Sequence, residues 1–214
     1  MASSRDAAAP VGRVRMTGKA RREQLLDVAR ALFAEKGFDV ASVEEIAHRA
    51  NVSKPVVYEH FGGKEGIYAV VVDREMQALL TRMTIALAEE AHPRVLLERA
   101  AGALLDYVDS SADGFRIMVR DSPVATSTGS FASLLSDIAS RVEHILGVQF
   151  NSRGYDRKLA ALYSQALVGM VALTGQWWLE ARKPRKDDVA AHLVNLAWNG
   201  LSHLEDRPTL RERG

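Results

Sequence analysis

Cations, hydroxyls and a phenol crowd into one short stretch of the chain, SVEEIAHRANVSKPVVYEHFGGK from Ser42 to Lys64, and the chemistry they suit is recognition of a polyanion. Ser42, Ser53 and Lys64 stand where three helices are expected to begin, and backbone N–H groups at a helix N-terminus already favour phosphate. Lys54, Pro55 and Val56 fall in the first turn of a helix. Lys54 there suits a guanine edge or a phosphate, and Val56 suits a thymine methyl. Tyr58 and His60 can donate to phosphate oxygens. Plainer roles exist for the same residues: capping for Ser42 and Ser53, partial core burial for Tyr58, and a solvated surface for Lys64. Val57 and Phe61 belong to the core.

Catalytic chemistry has little support. The six histidines, His48, His60, His92, His144, His192 and His203, show no i, i+4 pair enclosing a carboxylate, so the helical zinc-hydrolase pattern is missing. No Gly-x-Ser-x-Gly elbow occurs in the serine-rich run from Ser122 to Ser140. Gly62-Gly63-Lys64 lacks the upstream glycine of a phosphate loop, Tyr58 standing in its place. Glu44-Glu45 and Asp187-Asp188 read as first-turn helix charges, favourable against the dipole. Neither a metal nor a cofactor is expected, and the chain does not read as an enzyme.

The elements that must position these residues follow from capping and periodicity. Ser42 and Glu45 have capping-box spacing, and Val43, Ile46, Ala47 and Ala50 recur as one helix face. Asn51 suits the left-handed backbone of a sharp turn. Ser53 caps the next helix, with Pro55 in its first turn where a missing N–H costs nothing. Helix, three-residue turn and helix make a helix-turn-helix, whose second helix enters the DNA major groove. Before it, Leu25, Leu26, Val28, Ala29, Leu32 and Phe33 predict a covering helix from Arg21 to Lys36, closed by Gly37.

The whole run from Arg21 to Ile67 resembles the N-terminal domain of the TetR family of bacterial transcriptional regulators. The likeness is carried by Ala29 to Phe33, Gly37-Phe38, Ser42, Ile46-Ala47, Val52-Ser53, Tyr58, His60-Phe61 and Lys64-Glu65. Two positions depart from that pattern: Asn51 replaces the usual turn glycine, and Glu59 places an acid in the recognition helix.

The chain has 214 residues, 47% hydrophobic and 26% charged, with a net charge of +1. That is enough for one sizeable core or for a small domain plus a larger one. Near-neutrality gives no global pull toward nucleic acid, but Arg5, Arg13, Arg15, Lys19, Arg21 and Arg22 face only Asp6 in the first 22 residues. Such an arm suits phosphate or the minor groove, or is a solvated tail. The domain reading is a basic arm over 1–20, the helix-turn-helix over 21–66, a helical domain over 67–206 and a tail over 207–214. With no cysteine and no apolar signal run at the N-terminus, a cytoplasmic protein is expected.

Helical spacing continues throughout, so the fold class is all-α. The pattern predicts helices over Lys64–Glu90, Val95–Asp109, Phe115–Arg120, Ser130–Phe150, Leu159–Leu179 and Lys186–Leu204, with breaks at Asp113-Gly114 and 121–123. The stretch from Leu159 to Leu179 carries no charge and is long enough to cross a membrane. Its Ser164, Gln165, Thr174 and Gln176 favour a central or interface helix instead. Small residues Gly169, Ala172 and Gly175 would admit a close neighbour. With Leu193, Leu196, Ala197, Gly200, Leu201 and Leu204 of the last helix they are read as a homodimer interface, and the family's four-helix bundle implies the same. Tyr107, Phe115, Met118, Phe131, Met170, Trp177 and Trp178 are read as lining an apolar effector pocket; core packing is the plainer account of each.

Around Gln176-Trp177-Trp178-Leu179, Lys183-Pro184 and Leu196 to His203 the chain is similar to actinobacterial TetR-family regulators of fatty-acid metabolism. That likeness implies a fatty acid or long-chain acyl-CoA as effector. The reading is a homodimeric repressor of a palindromic operator, released by a small apolar molecule. The alternative is a DNA-binding dimer with no small-molecule ligand, whose C-terminal domain only dimerises or recruits a protein.

Overall fold

The computed structural model describes residues 16–88, 90–120, 130–205 and 208–210. Arg5, Arg13 and Arg15 of the basic arm, the expected break at 121–123 and most of the expected tail lie outside them. The described residues form nine helices and no strand.

Helix α1 spans Gly18–Lys36. It begins three residues earlier than its apolar pattern does because the Thr17 hydroxyl accepts the Ala20 N–H at 3.2 Å. Gly37, at φ 80°, closes it. Helix α2 spans Val43–Arg49 and α3 spans Lys54–Phe61, joined through Asn51 in the left-handed region at φ 53°. Only half of the expected capping box forms. The Ser42 hydroxyl accepts the Glu45 N–H, while the Glu45 carboxylate turns outward to Lys36 at 2.7 Å and Arg49 at 2.9 Å. Charge-assisted bonds to two cations outbid one to a backbone N–H. Leu25, Ala29, Leu32, Phe33, Ile46 and Val57 are buried as one small core, and the Gln24 amide donates to the Ala50 carbonyl, tying α1 to the turn.

Helix α4, Lys64–Ala86, starts after Gly62 (φ 73°) and Gly63 (φ 133°). A Cβ at Gly66 would overlap the Phe61 carbonyl oxygen, so glycine lets α4 leave α3 at this sharp angle. The helix ends at Ala86, before the expected Glu90. Ile67, Val71 and Val72 belong to the small core, and Leu79 and Met83 to a second, larger one. The anticipated boundary at 66/67 is therefore crossed by continuous helix.

The larger domain adds α5 (Pro93–Ser110), α6 (Ala112–Val119), α7 (Phe131–Ser152), α8 (Leu159–Ala181) and α9 (Lys186–Ser202). The break between α5 and α6 falls at Ser111, whereas Gly114 sits inside α6. Helix α8 lies along α7 and α5, α9 lies along α5, and α8 and α9 touch each other only lightly. Helix α8 stops at Arg182, which takes the left-handed conformation at φ 55°, so Pro184 follows the stop and does not cause it. The inner face of α8 carries Ala172, Gly175, Trp178 and Leu179.

One buried carboxylate knots the two cores together. Glu75 of α4 is 6% exposed and accepts from the Tyr107 hydroxyl of α5 at 2.6 Å, the Ser111 hydroxyl at 3.0 Å and the Arg30 guanidinium of α1 at 3.4 Å. A buried charge is tolerable only when satisfied in this way. The carboxylate occupies the space a Cβ would need at Gly114 of α6. Burial first, and then the hydrogen bond to Glu75, push the Tyr107 phenol well above the usual tyrosine range, so it stays a donor. Helix α6 also inserts Ile117 into the small core. Arg120 just beyond it donates to the Phe33 and Ala34 carbonyls at the end of α1.

Candidate DNA-binding face and effector cavity

The first turns of α2, α3 and α4 bring the expected DNA contacts together on one candidate surface. Ser53 is the N-cap of α3 by backbone geometry, yet its hydroxyl makes no capping hydrogen bond; it is exposed with its donor unspent. Pro55 beside it is exposed too. Lys54 pairs with Glu44 of α2. Each is the first cause of the other's shift: Glu44 lies below the ordinary carboxylate value, and Lys54 above the ordinary lysine value. The pair is exposed and therefore cheap to exchange for a phosphate or a base edge. Tyr58 is 49% exposed, its ring lying beside Gly63. Arg22 sits over the Phe61 ring at 4.7 Å, holding a cation at the same edge.

Four expected DNA contacts carry other duties as well. Val56 is partly buried against the small core, because α3 is short and the same turn that faces outward also seats Val57. The Lys64 ammonium donates to the Phe38 and Asp39 carbonyls at 3.0 and 3.3 Å and lies over the Phe38 ring at 4.4 Å. It pins the α1–α2 loop, leaving one N–H of the ammonium for an outside acceptor. His60 is half-buried beside Phe61. Ser42 spends its oxygen on the α2 cap, so only its O–H remains to donate.

The larger domain holds a partly open cavity of about 420 Å³. Its walls are aliphatic: Leu79, Met83 and Leu87 on α4 and beyond, Leu96, Ala100 and Leu104 on α5, Leu135, Ile138, Val142 and Leu146 on α7, and Val168, Val171 and Ala172 on α8. Polar lining is sparse, namely His92, Gln149, Arg153 and Ser202, with Trp198 between the helices. The lining residues step along α7 from Leu135 to Arg153, roughly 27 Å of helix at 1.5 Å per residue. The cavity is elongated along the domain, and its inner end, at Leu79, is one helical turn from Glu75.

Two folded parts, a helix-turn-helix head and a hollow helical body, match known domains. Residues 25–71 match the family of bacterial regulatory proteins named for TetR, and residues 82–212 match the tetracyclin repressor-like C-terminal domain. The chain belongs to the TetR family. It is 30% identical over 185 residues to the transcriptional activator FasR of Mycolicibacterium smegmatis, covering 86% of this chain and 84% of FasR. A TetR-like regulator from Rhodococcus sp. RHA1 superposes with a TM-score of 0.72 at 26% identity, covering 88% of this chain and 99% of that one. FadR of Bacillus subtilis, solved in complex with stearoyl-CoA, shares the fold with a TM-score of 0.67 at 19% identity, over 83% and 98% of the two chains. This TetR-family regulator is accordingly a DNA-binding transcriptional regulator that works on operator DNA as a homodimer.

Within the TetR-family regulator, the seven aromatic and methionine residues expected at the pocket stand outside the cavity wall. Tyr107, Phe115, Met118 and Trp178 are buried in the larger core, Phe131 and Met170 pack against it, and Trp177 is 54% exposed. The walls are leucine, valine and alanine because side chains that fill space well close a core, and the hollow is left where the fill is short. Residue type alone pointed the wrong way. The expected dimer interface divides similarly. Ala172, Gly175, Leu193 and Ala197 face inward, Gly175 against Leu104 and Phe115, while Leu201 borders the cavity and Leu204 packs beside Leu146 and Phe150. Gly169 and Gly200 have nothing within 4 Å, and Leu196 is 65% exposed. A helix apolar all round gives no sequence clue to which stripe faces its own domain. Glu75 was not singled out in the sequence, although an acid between Val71 and Leu79 at four-residue spacing interrupts an apolar stripe and needs a partner.

Proposed function

We propose that this regulator senses a long-chain fatty acid or its coenzyme A ester, and that an acyl chain in the cavity releases the operator. The observation that carries the reading is the elongated aliphatic cavity. At about 420 Å³ it lies within the range of ligand pockets, and a hollow in a core forfeits packing stabilisation unless something fills it. A sugar or nucleotide would find few partners in such walls. The solved FadR fold bound to stearoyl-CoA supports the same class. A body that only dimerises has no use for the hollow.

On the DNA side, the reading gives Lys54 the base edge or a phosphate. Ser53, Tyr58 and Arg22 hold phosphates on either side, with Ser42, His60 and Lys64 as supporting donors. The homodimer forms through the outer stripe of α8, Leu162, Gly169, Leu173 and Trp177, with Leu196 and Gly200 of α9. All of these are exposed or open in the single chain, and apolar residues at that spacing make a face that a second copy would cover. The protein works in the cytoplasm, beside the chromosome.

Titrating fatty acids and acyl-CoA esters of graded chain length into the operator complex tests the proposal by electrophoretic mobility. Release is expected with a maximum at one chain length, together with a change in Trp198 emission that Trp198→Phe removes and Trp177→Phe does not. If no acyl chain releases DNA or perturbs Trp198, the ligand-free module is the better account.

A further inference from the structure

The two ends of the cavity differ in a way that orients its occupant. At the inner end Leu79, Leu104 and Ile138 are at most 5% exposed. At the outer end α4 stops, α5 begins, and α7 and α9 finish, so the lining there consists of helix termini. The polar lining residues gather at these termini: His92 is the N-cap of α5, Gln149 and Arg153 end α7, and Ser202 ends α9. His92 and Arg153 are exposed. Among the described residues no carboxylate lines the cavity, and Arg153 is the one permanent charge in that lining.

Arg153 and His92 are both held in place. The Arg153 guanidinium lies over Tyr155 at 5.3 Å and donates to the Leu201 and Ser202 carbonyls at 3.2 and 3.1 Å, which leaves its remaining N–H groups for an acceptor. His92 lies against Trp198 with the rings tilted at 53° and their centroids 5.1 Å apart, and its Nδ1 accepts the Arg94 N–H at 3.3 Å. With Nδ1 accepting, Nε2 is the ring nitrogen left to donate to an acceptor. Trp198 and Ser202 are one turn apart on α9, so that turn carries both supports.

We propose that the mouth formed by Arg153 and His92 reads an anionic end of the effector, and that the apolar tail runs inward to Leu79, one turn from the Glu75 knot. This rests on the acyl-chain reading and adds orientation and head-group selection to it. The shared chemistry is an anion on a long apolar chain. It could be the carboxylate of a free acid or a phosphate of a coenzyme A ester.

The test uses the full-length dimer with palmitic acid, palmitoyl-coenzyme A and palmityl alcohol, reading Trp198 emission for affinity. The alcohol shares the tail but lacks the anion. Wild type should bind at least one anionic probe about tenfold or more tightly than the alcohol, as a charge-assisted hydrogen bond implies. Arg153→Met should erase that ratio, and Arg153→Lys should keep part of it. A preference confined to the acid assigns the carboxylate, and one confined to the ester assigns a phosphate; either supports the orientation. An alcohol that binds wild type as well as both anions overturns it, as does Arg153→Met weakening all three probes alike, which would make Arg153 only a cap for α9. His92→Phe, scored by the same ratio, covers the case in which Arg153→Met melts early. If none of the probes binds wild type, the acyl-chain reading itself has failed.

Discussion

The head and the body of this regulator are built to opposite tolerances. In the head, three short helices close on Leu25, Ala29, Leu32, Phe33, Ile46 and Val57, each at most 1% exposed, and the turns between them are fixed by Asn51, Gly62 and Gly63. In the body, longer helices leave about 420 Å³ between them. A reader of DNA must hold its recognition helix rigidly against two grooves of fixed spacing, whereas a sensor must have a state that a ligand can complete. The Glu75 knot lies between these two regimes and touches α1, α4, α5 and α6 together.

The largest effect should come from breaking that knot. Gly114→Val puts a side chain where the Glu75 carboxylate sits, forcing a buried charge away from Tyr107 and Ser111. A loss of about 3 kcal/mol or more is expected in denaturant unfolding, since overpacking and an unpaired buried charge add. Gly102→Ala, in an α5 turn with nothing within 4 Å, should instead gain roughly 0.5–1 kcal/mol from helix propensity. Equal effects at the two glycines would mean that the junction is soft. Tyr107→Phe is the milder probe: about 1.5–3 kcal/mol is expected for removing a hydrogen bond to a buried carboxylate.

Filling the two cores compares them directly. Ala47 in the head is 4% exposed and packed on all sides, so Ala47→Phe should cost roughly 1–3 kcal/mol and weaken operator binding with it. Ala100 borders the cavity, so Ala100→Phe should leave the melting temperature level or raised while abolishing release by an acyl chain. A matching loss of stability at Ala100 would show that the hollow closes in solution.

How much of this was legible in the sequence follows from the same contrast. The head's features are local: Ser42 three residues before Glu45, Asn51 at the turn, Gly62-Gly63 before Lys64. Neighbours in the chain set them, and the spacing alone located α2 and α3 to within a residue. The exception was Glu45, whose carboxylate goes to Lys36 from another helix. The body's features are matters of which stripe of a long helix meets which partner. Leu196 and Leu193 are alike in sequence, yet one is 65% exposed and the other 7%. Likewise Trp177 points outward and Trp178 inward. The cavity could not be read because it consists of what aliphatic side chains fail to fill, and no residue type marks a gap. Arg153 and His92, which end up at its mouth, are 61 residues apart in sequence.

Exchanges at the dimer stripe should separate inner small residues from outer ones. Gly169→Trp or Gly200→Trp, in open space within the single chain, should yield monomers by light scattering without lowering the fold's stability by more than about 0.5 kcal/mol. Gly175→Leu, against Leu104 and Phe115, should instead unfold the body. If Gly169→Trp stays dimeric, the interface lies elsewhere.

The smallest effect sits at the tip of the head, where Lys54 meets Glu44. In the free protein the Lys54 hydrogen bond is the chief reason that the Glu44 carboxyl lies below its ordinary value of 4.5, with a backbone N–H second. In the proposed operator complex Lys54 turns to a base edge or a phosphate, and Glu44 loses that donor beside a field of phosphates, which should raise its affinity for a proton. The sign follows from linkage: the state with the higher pKa takes up the proton, so operator affinity should increase as pH falls toward the carboxylate range. Glu44→Gln should remove that dependence and bind DNA slightly more tightly at neutral pH, the gain being small because the pair is exposed. The window is bounded below by the fold itself. Glu35 and Glu45 also lie below 4.5, each chiefly through its hydrogen bond to a cation, Arg49 for Glu35 and Lys36 for Glu45. Their contribution is complete above the unfolded value and is lost as pH falls through their lowered folded values. Fluorescence anisotropy with labelled operator, run between neutrality and the onset of head unfolding by circular dichroism, reads both. A wild type and Glu44→Gln variant with parallel pH profiles would show that Lys54 keeps its partner on DNA, and would move the base contact to another residue of α3.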